Sequence, residues 1–363
     1  MKSLLTLAIV LASTSAFATR ARLTSLGNAA HLVDAASVYS KPADIFAVSD
    51  SVTIESGKTN LVPGADTADL GTEALMIRSA GDAKWALSLG HDDARSFGQR
   101  SAADTGTLVV IGQQNPLELT YGMKAGDIAW AGTLVYSNFN DKAGEIKEST
   151  TGLKFGAATS TWDATVDLGL TDKWESSTLN DEFKGKSNIA VRGGMWVSSD
   201  MYAYADVAMG GYEVTDAGVG TSEVKSTDIT VGAINTMKND GNEFFWGAGL
   251  NSFLSKDDTA DSKDTSLSLP FIIGLEANAA TWLTLRGSIQ QNVLIQNEKT
   301  EAAGVTTAEL SPGANSTLAS IGAGLKLGKV ALDGSLTGLT GTTQTQQVNA
   351  NSLFGTVGLT YAF

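Results

Sequence analysis

The chain has 363 residues, with 39 Asp and Glu against 25 Lys and Arg, a formal charge of -14 and no cysteine. The missing cysteine excludes disulfides, thiol catalysis, iron–sulfur clusters and Cys-ligated zinc. The acidic balance argues against a nucleic-acid partner, whose phosphates require a basic face. A mean hydropathy of +0.01 is too polar for a helical membrane protein. It is ordinary for a barrel in which only alternate residues meet lipid, and barrels of this length run as one domain.

Residues 1–18 read as an export signal. Met1-Lys2 supplies a positive start, Leu4 to Leu11 is a short apolar run, and Ala16-Phe17-Ala18 has the small-x-small form that signal peptidase accepts. Cleavage after Ala18 would leave Thr19 first and, by loss of Lys2, take the charge from -14 to -15. The apolar run is too short to span a bilayer.

Residues 19–43 do not alternate. Leu23, Leu26, Ala30 and Val33 form a helical stripe, with Asp34 and Ser37 on its polar side. The run Ser25-Leu26-Gly27-Asn28-Ala29, then Asp34-Ala35-Ala36-Ser37-Val38-Tyr39 and Pro42-Ala43, resembles the N-terminal motif of the outer-membrane fatty-acid transporter family. Asn28 replaces a Gly of that motif and Lys41 an Asn. The resemblance implies a plug within or beneath a barrel lumen, with Arg20 and Arg22 turned to its acidic wall. The alternative is a leader lying in the periplasm. The family has fourteen strands, so its substrate is not carried over.

From residue 44 the chain reads with period two. In 161–170, Trp162, Ala164, Val166, Leu168 and Leu170 share one face, and Thr161, Asp163, Thr165, Asp167 and Gly169 share the other. The pattern predicts strands near 47–56, 71–79, 83–91, 117–125, 127–138, 147–158, 160–171, 187–197, 200–213, 224–236, 242–255, 265–277, 280–293, 315–327, 328–339 and 353–363. That makes about sixteen, with fourteen the other possible count. Short turns, such as Gly81-Asp82 and Gly126-Asp127, alternate with long polar loops, as in outer-membrane barrels. Trp85, Trp130, Trp162, Trp196, Trp246 and Trp282 lie near short turns. A looser set, Tyr136, Phe139, Trp174, Tyr212 and Phe253, lies toward the long loops, so two aromatic belts are expected. Trp196 and Trp282 fall on the lumen parity. The end, Val357-Gly358-Leu359-Thr360-Tyr361-Ala362-Phe363, resembles the C-terminal signature of bacterial outer-membrane barrels, which implies recognition of Phe363 by the barrel-insertion machinery. The expected fold is an all-β, closed antiparallel transmembrane barrel, because lipid cannot satisfy an open sheet edge.

The inward registers give basic lumen candidates Arg78, Lys84, Lys124, Lys154, Arg192, Arg286 and Lys326. The acidic ones are Glu118, Asp163, Asp167, Asp206, Asp228, Glu243, Glu276 and Asp333. Most of the bases come from early strands and six acids follow one another in later ones, so opposed charged walls and a transverse field are expected. The longest loop, 92–116, carries Arg95, Arg100 and the apolar run Leu108-Val109-Val110-Ile111. It is expected to tuck into the mouth as a constriction, unless 107–112 merely extends the fourth strand. His91-Asp92-Asp93 reads as a rim and not as a catalytic base. No Gly-x-Ser-x-Gly or His-Glu-x-x-His motif is present. Asp257, Asp258, Asp261 and Asp264, like Asn180-Asp181-Glu182, read as solvated loop able to bridge divalent ions to lipopolysaccharide. No cofactor or structural metal is expected.

These observations point to a porin: a passive, water-filled channel for small hydrophilic solutes, with slight cation preference and, by resemblance to porins of this size, a homotrimer. One alternative is a hatch-gated transporter of hydrophobic compounds, which needs a continuous apolar tunnel. The other is a structural or adhesion barrel with a sealed lumen.

Overall fold

The computed structural model describes residues 19–57, 71–103, 110–186, 188–302, 305–308, 317–340 and 353–363. Its strand segments are β1 (Ser51–Gly57), β2 (Gly71–Ala80), β3 (Ala83–Leu89), β4 (Leu117–Ala125), β5 (Ile128–Asp141), β6 (Ile146–Ala158), β7 (Trp162–Ser176), β8 (Asp181–Gly185), β9 (Asn188–Trp196), β10 (Met201–Asp216), β11 (Gly220–Asn239), β12 (Asn242–Asp257), β13 (Ser262–Ala280), β14 (Leu283–Ala302), β15 (Val305–Ala308), β16 (Thr317–Leu327), β17 (Val330–Thr340) and β18 (Leu353–Ala362). β8 and β9 both lie between β7 and β10 as one interrupted stave, and β15 and β16 both pair with β14. Eighteen segments therefore make sixteen antiparallel staves. β1 pairs with β2 and also with β18, from Ser51↔Ala362 to Gly57↔Thr356, so the sheet closes and no edge remains.

Every expected strand is present. β11 and β14, with 20 residues each, run well past what a bilayer needs, about 9–11 residues for a tilted strand. Short turns form where the chain can take a left-handed backbone, as at Gly81 (φ +64°) and Gly126 (φ +62°).

The faces are inverted relative to a water-soluble fold. Outward Leu119, Tyr121, Met123, Trp130 and Leu134 are exposed, while inward Glu118, Thr120, Thr133 and Ser137 are buried. Exposed apolar surface of this extent, wrapping a closed sheet, is stable only against hydrocarbon. Among the described residues no helix is long and apolar enough to cross a membrane; the crossing is made by strands. The last strand keeps the same parity, with Val357, Leu359, Tyr361 and Phe363 all exposed.

The belts differ from expectation. Trp85, Trp130, Trp162 and Trp246 stand on the outward face at the short-turn end, Trp282 is exposed in a tight turn, and Trp196 points inward against His31. At the other end only Tyr136 is outward. Phe139, Tyr212 and Phe253 share registers with inward residues, and Trp174 is buried. The cause at Trp174 is a bulge: Leu170 is the extra residue where the register moves from Gly152↔Gly169 to Thr151↔Thr171. One inserted residue exchanges the two faces of everything beyond it.

Candidate functional site

The lumen is filled. Helix α1 (Arg20–Ser25) is capped by Thr19, whose side chain accepts from the Arg22 N–H. The expected helical stripe does not continue to Val33. Gly27 and Asn28 take positive φ, +66° and +52°, and end the helix. Asp34 Oδ1 then accepts from the Ala36 N–H (2.8 Å) and Ser37 N–H (3.2 Å), starting a 3-10 turn (Ala36–Tyr39) that is followed by another (Pro42–Phe46). This inserted segment, the hatch, runs past residue 43 to Asp50, where β1 begins.

Apolar hatch residues meet apolar lumen residues on two sides. Leu26, Ala29 and Leu32 pack with Ile234 and Phe245. Val38, Tyr39, Ile45 and Val48 pack with Leu75, Ile77, Ala86 and Ala131. Between these dry clusters run ion pairs. Arg22 reaches Glu276 at 2.9 Å and Asp34 at 3.7 Å. Arg286 reaches Asp333 at 2.5 Å and Glu276 at 3.6 Å. Arg20 holds Glu73 at 2.6 Å, Lys41 faces Asp163 at 3.5 Å, and His31 Nε2 meets Glu243 at 3.0 Å. Lys84 donates to the Val48 carbonyl at 2.5 Å. Burial lifts the Asp34 carboxyl to about 7 against the pull of Arg22. Burial also lowers His31 despite Glu243. For Arg22, burial is outweighed by Glu276 and Asp34, and its pKa rises.

A second insert enters from the long-loop end. Helix α2 (Ala94–Ala103) lies inside the wall, and Ala103 and Val110 pack on Trp174 and Phe183. Arg95 bonds Asp167 and pairs with Asp93 at 3.1 Å. Arg100, 1 % exposed, donates to Asp172 (2.5 Å), Glu148 (3.0 Å), Thr150 (3.1 Å) and the Ile111 carbonyl (2.9 Å). The loop does enter the mouth, but its two arginines are spent on the wall and do not face a path as free charges. The strand-extension alternative fails at 110–112, which are not strand; Leu108 and Val109 lie outside the described residues. Arg100→Met is expected to leave Glu148 and Asp172 buried without their cation, at about 3–5 kcal/mol. Faster trypsin cleavage at Arg95 in the folded barrel would show the helix released, and an unchanged rate would reject this role.

The two inserts meet at Lys154. Its Nζ is 3.0 Å from Asp93, 3.4 Å from Glu118, and donates to the Tyr39 carbonyl of the hatch at 3.0 Å. Asp93 is held well below the usual carboxylate range, because Lys154 and Arg95 outweigh its burial. His91 is not a rim residue: its ring stacks on Tyr39 at 3.6 Å and it bonds Glu73 at 2.9 Å.

The sequence-derived lumen residues are brought inward with one exception. Arg78 is on the outward face, because β2 turns Glu73, Leu75 and Ile77 in. Its guanidinium lies over the Phe363 ring at 4.5 Å, where a long side chain can reach the interface. Lys124 lies over Phe46 at 5.4 Å, and Lys326 keeps inward parity beside Ala331. Arg192 pairs with Asp206 (2.7 Å), and Asp228 accepts from Asn251 (2.6 Å). The expected transverse field is therefore largely cancelled: most wall charges are neutralised by a neighbour, a hatch residue or the loop. Glu55 is absent from the expected set, and Glu73 was hidden by the expected parity of β2, which put Arg78 inward instead. His31 and Tyr39 carried no sequence signal beyond the hatch motif. The acidic loop is also satisfied locally, with Asp258 on Lys225 (2.5 Å) and Lys256 (2.6 Å), and no metal-holding cluster occurs among the described residues.

Closed sheet, lipid-compatible exterior and polar inner wall define a transmembrane β-barrel of the outer-membrane type, here with its lumen occupied by its own N-terminal segment. No protein-family model and no curated protein matches the sequence. Among solved structures the chain is similar to the CymD monoaromatic hydrocarbon channel, with 8% identity over 94% of this chain and 96% of that one, TM-score 0.44. It is similar to a Pseudomonas aeruginosa FadL homologue, with 10% identity, 93% and 95% coverage, TM-score 0.43. It is also similar to the Ralstonia pickettii toluene transporter TbuX, with 11% identity, 97% and 99% coverage, TM-score 0.42. Likeness at this level carries nothing about what this chain does.

Proposed function

We propose that this chain is an outer-membrane channel for small hydrophilic solutes that its own N-terminal hatch holds shut, so that passage requires the hatch to move. One observation carries the reading: the hatch is anchored around the circumference. Arg20 is on Glu73 of β2, Lys41 on Asp163 of β7, His31 on Glu243 of β12, Arg22 on Glu276 of β13 and Gly27 on Gln290 of β14. A permanently open diffusion pore has no such plug, so the passive porin reading is narrowed to a gated one. The inner wall supports this solute class. Thr53, Thr120, Thr133, Thr165, Ser288 and Thr337 are inward and buried, and such a lining favours hydrated solutes over the apolar compounds of the rival reading. The reading places the protein in the outer membrane after export, with Phe363 as its insertion signal, and assigns it no catalytic step.

The test uses a tether. A Cβ on Gly322 would lie 2.5 Å from Ser25 Cβ, so a small shift brings Ser25→Cys and Gly322→Cys to the about 3.8 Å that a disulfide spans. The chain has no other cysteine. In proteoliposomes the oxidised variant is expected to pass neither sugars nor amino acids, and reductant is expected to restore flux. Undiminished flux through fully cross-linked protein would reject hatch movement. Uptake of toluene alone would replace the hydrophilic solute by an apolar one.

A further inference from the structure

Where the hatch begins, the wall presents carboxylates in a row. Glu73 of β2 pairs with Glu55 of β1, Glu55 with Gly358 of β18, and Gly358 with Asp333 of β17. All three carboxylates are buried, at 4 %, 5 % and 1 % exposure. Two have a cationic side chain: Arg20 at Glu73 and Arg286 at Asp333. The central one, Glu55, has no salt-bridge partner among the described residues; it accepts the Arg20 backbone N–H at 2.6 Å and shares a hydrogen bond with the Glu73 carboxyl, which takes a proton between the two. Asp333 Oδ2 is buried without a hydrogen-bond donor. A buried carboxylate without a counter-charge is strongly unfavourable; the row meets this with the proton between Glu55 and Glu73, a place that a cation with several donors could take instead.

Thr19 lies against this row, beside Glu55 and Glu73. It is fully buried. It fills the gap left by Gly358: a Cβ there would lie 2.7 Å from Glu55 Oε1 and 2.9 Å from Thr19 Cβ. Glu55, Glu73 and Tyr39 stand around it. The same residue follows the Ala16-Phe17-Ala18 site of the sequence. We propose that signal peptidase cuts after Ala18 and that the α-ammonium so created on Thr19 replaces that proton as the cation of the row, docking beside Glu55 and locking the hatch in the lumen. Hydrolysis of the Ala18–Thr19 peptide bond consumes one water, leaves a carboxylate on Ala18 and leaves an amine on Thr19 that takes up a proton. An α-amino group, with a usual pKa near 7.7–8.0, supplies three N–H donors there. The unprocessed chain has a neutral amide at that atom with at most one donor. Processing therefore completes the lock, and a barrel that kept its signal would hold its hatch less firmly.

The test is chemical and independent of transport. The protein purified from outer membranes is treated, folded, with acetic anhydride, and modified amines are located by mass spectrometry. The expected N-terminus is Thr19. Its amine is expected to react at least about tenfold more slowly than exposed Lys142 and Lys329, the equivalent of about 1.4 kcal/mol of protection, and to react fully once the barrel is denatured. Glu55→Gln keeps shape and removes the charge; it is expected to abolish the protection while the protein still shifts on heating as a folded barrel. An N-terminus at another residue, a Thr19 amine as reactive as Lys142, or protection unchanged in Glu55→Gln would each overturn the proposal. None of these outcomes bears on whether the channel is gated.

Discussion

A chain lacking residues 20–46 is expected to fold into the same barrel and to conduct ions continuously in planar bilayers, where the complete chain is mostly closed. The wall needs nothing from the hatch for its backbone hydrogen bonds. The ladder closes through β1 and β18 alone, and barrels with 16–18 strands leave an aqueous channel when nothing fills them. Buried apolar contacts of the hatch with Ile234, Phe245, Leu75 and Ile77 would be lost, which lowers stability but leaves no edge open. The deletion removes Arg20, Arg22 and Lys41 together with Asp34 and Asp44, a net loss of one positive charge. It also leaves Glu73, Glu276 and Asp163 facing water. The open pore should therefore prefer potassium to chloride in a salt gradient. A deletion variant with the conductance of the complete chain would show that the hatch does not block the path, and chloride preference would show that these carboxylates do not line it.

Arg22→Met should loosen the hatch more than any other single change within it. Arg22 is the only cation at salt-bridge distance from Asp34 among the described residues, and it shares Glu276 with Arg286. Removing one member of a buried ionic group leaves the others uncompensated, at about 3–5 kcal/mol. That is roughly two to four decades in the docking equilibrium. The measurement is trypsin cleavage of the Arg20–Ala21 bond in the folded barrel, set beside channel-opening frequency, and both should rise. Adding Asp34→Asn and Glu276→Gln to Arg22→Met should recover part of the loss, since the orphaned charges are then gone. Equal cleavage of Arg22→Met and the original chain would remove the ionic group from the account of closure.

The two inserts are joined through one lysine. Lys154 touches the wall at Glu118, the loop at Asp93 and the hatch at Tyr39, so a displacement of either insert leaves buried charge unsatisfied at the other. This junction explains why His91-Asp92-Asp93, which reads as a polar strand end, is placed inside: Tyr39 stacks on His91, and Lys154 draws in Asp93.

The alternation of Trp162, Ala164, Val166 and Leu168 with polar neighbours determined the strands and most of their faces without any tertiary information, because the period of a strand is a local property of the backbone; the choice of sixteen over fourteen needed the closed sheet. The same parity placed Asp163, Asp167, Glu243, Glu276 and Arg286 inside. It failed where locality fails. At Leu170 one bulged residue turned Trp174 inward, and in β2 the apolar Leu75 and Ile77 face the lumen because the hatch covers them there, leaving Arg78 outside. Whether the lumen is wet or filled was decided only by the tertiary structure. Residues 19–50 have too short a helix and too few regular hydrogen bonds to hold a shape alone. They acquire one by burying Leu26, Val38 and Ile45 against distant strands and by exchanging water for polar groups of the wall, through contacts between residues as much as 263 positions apart.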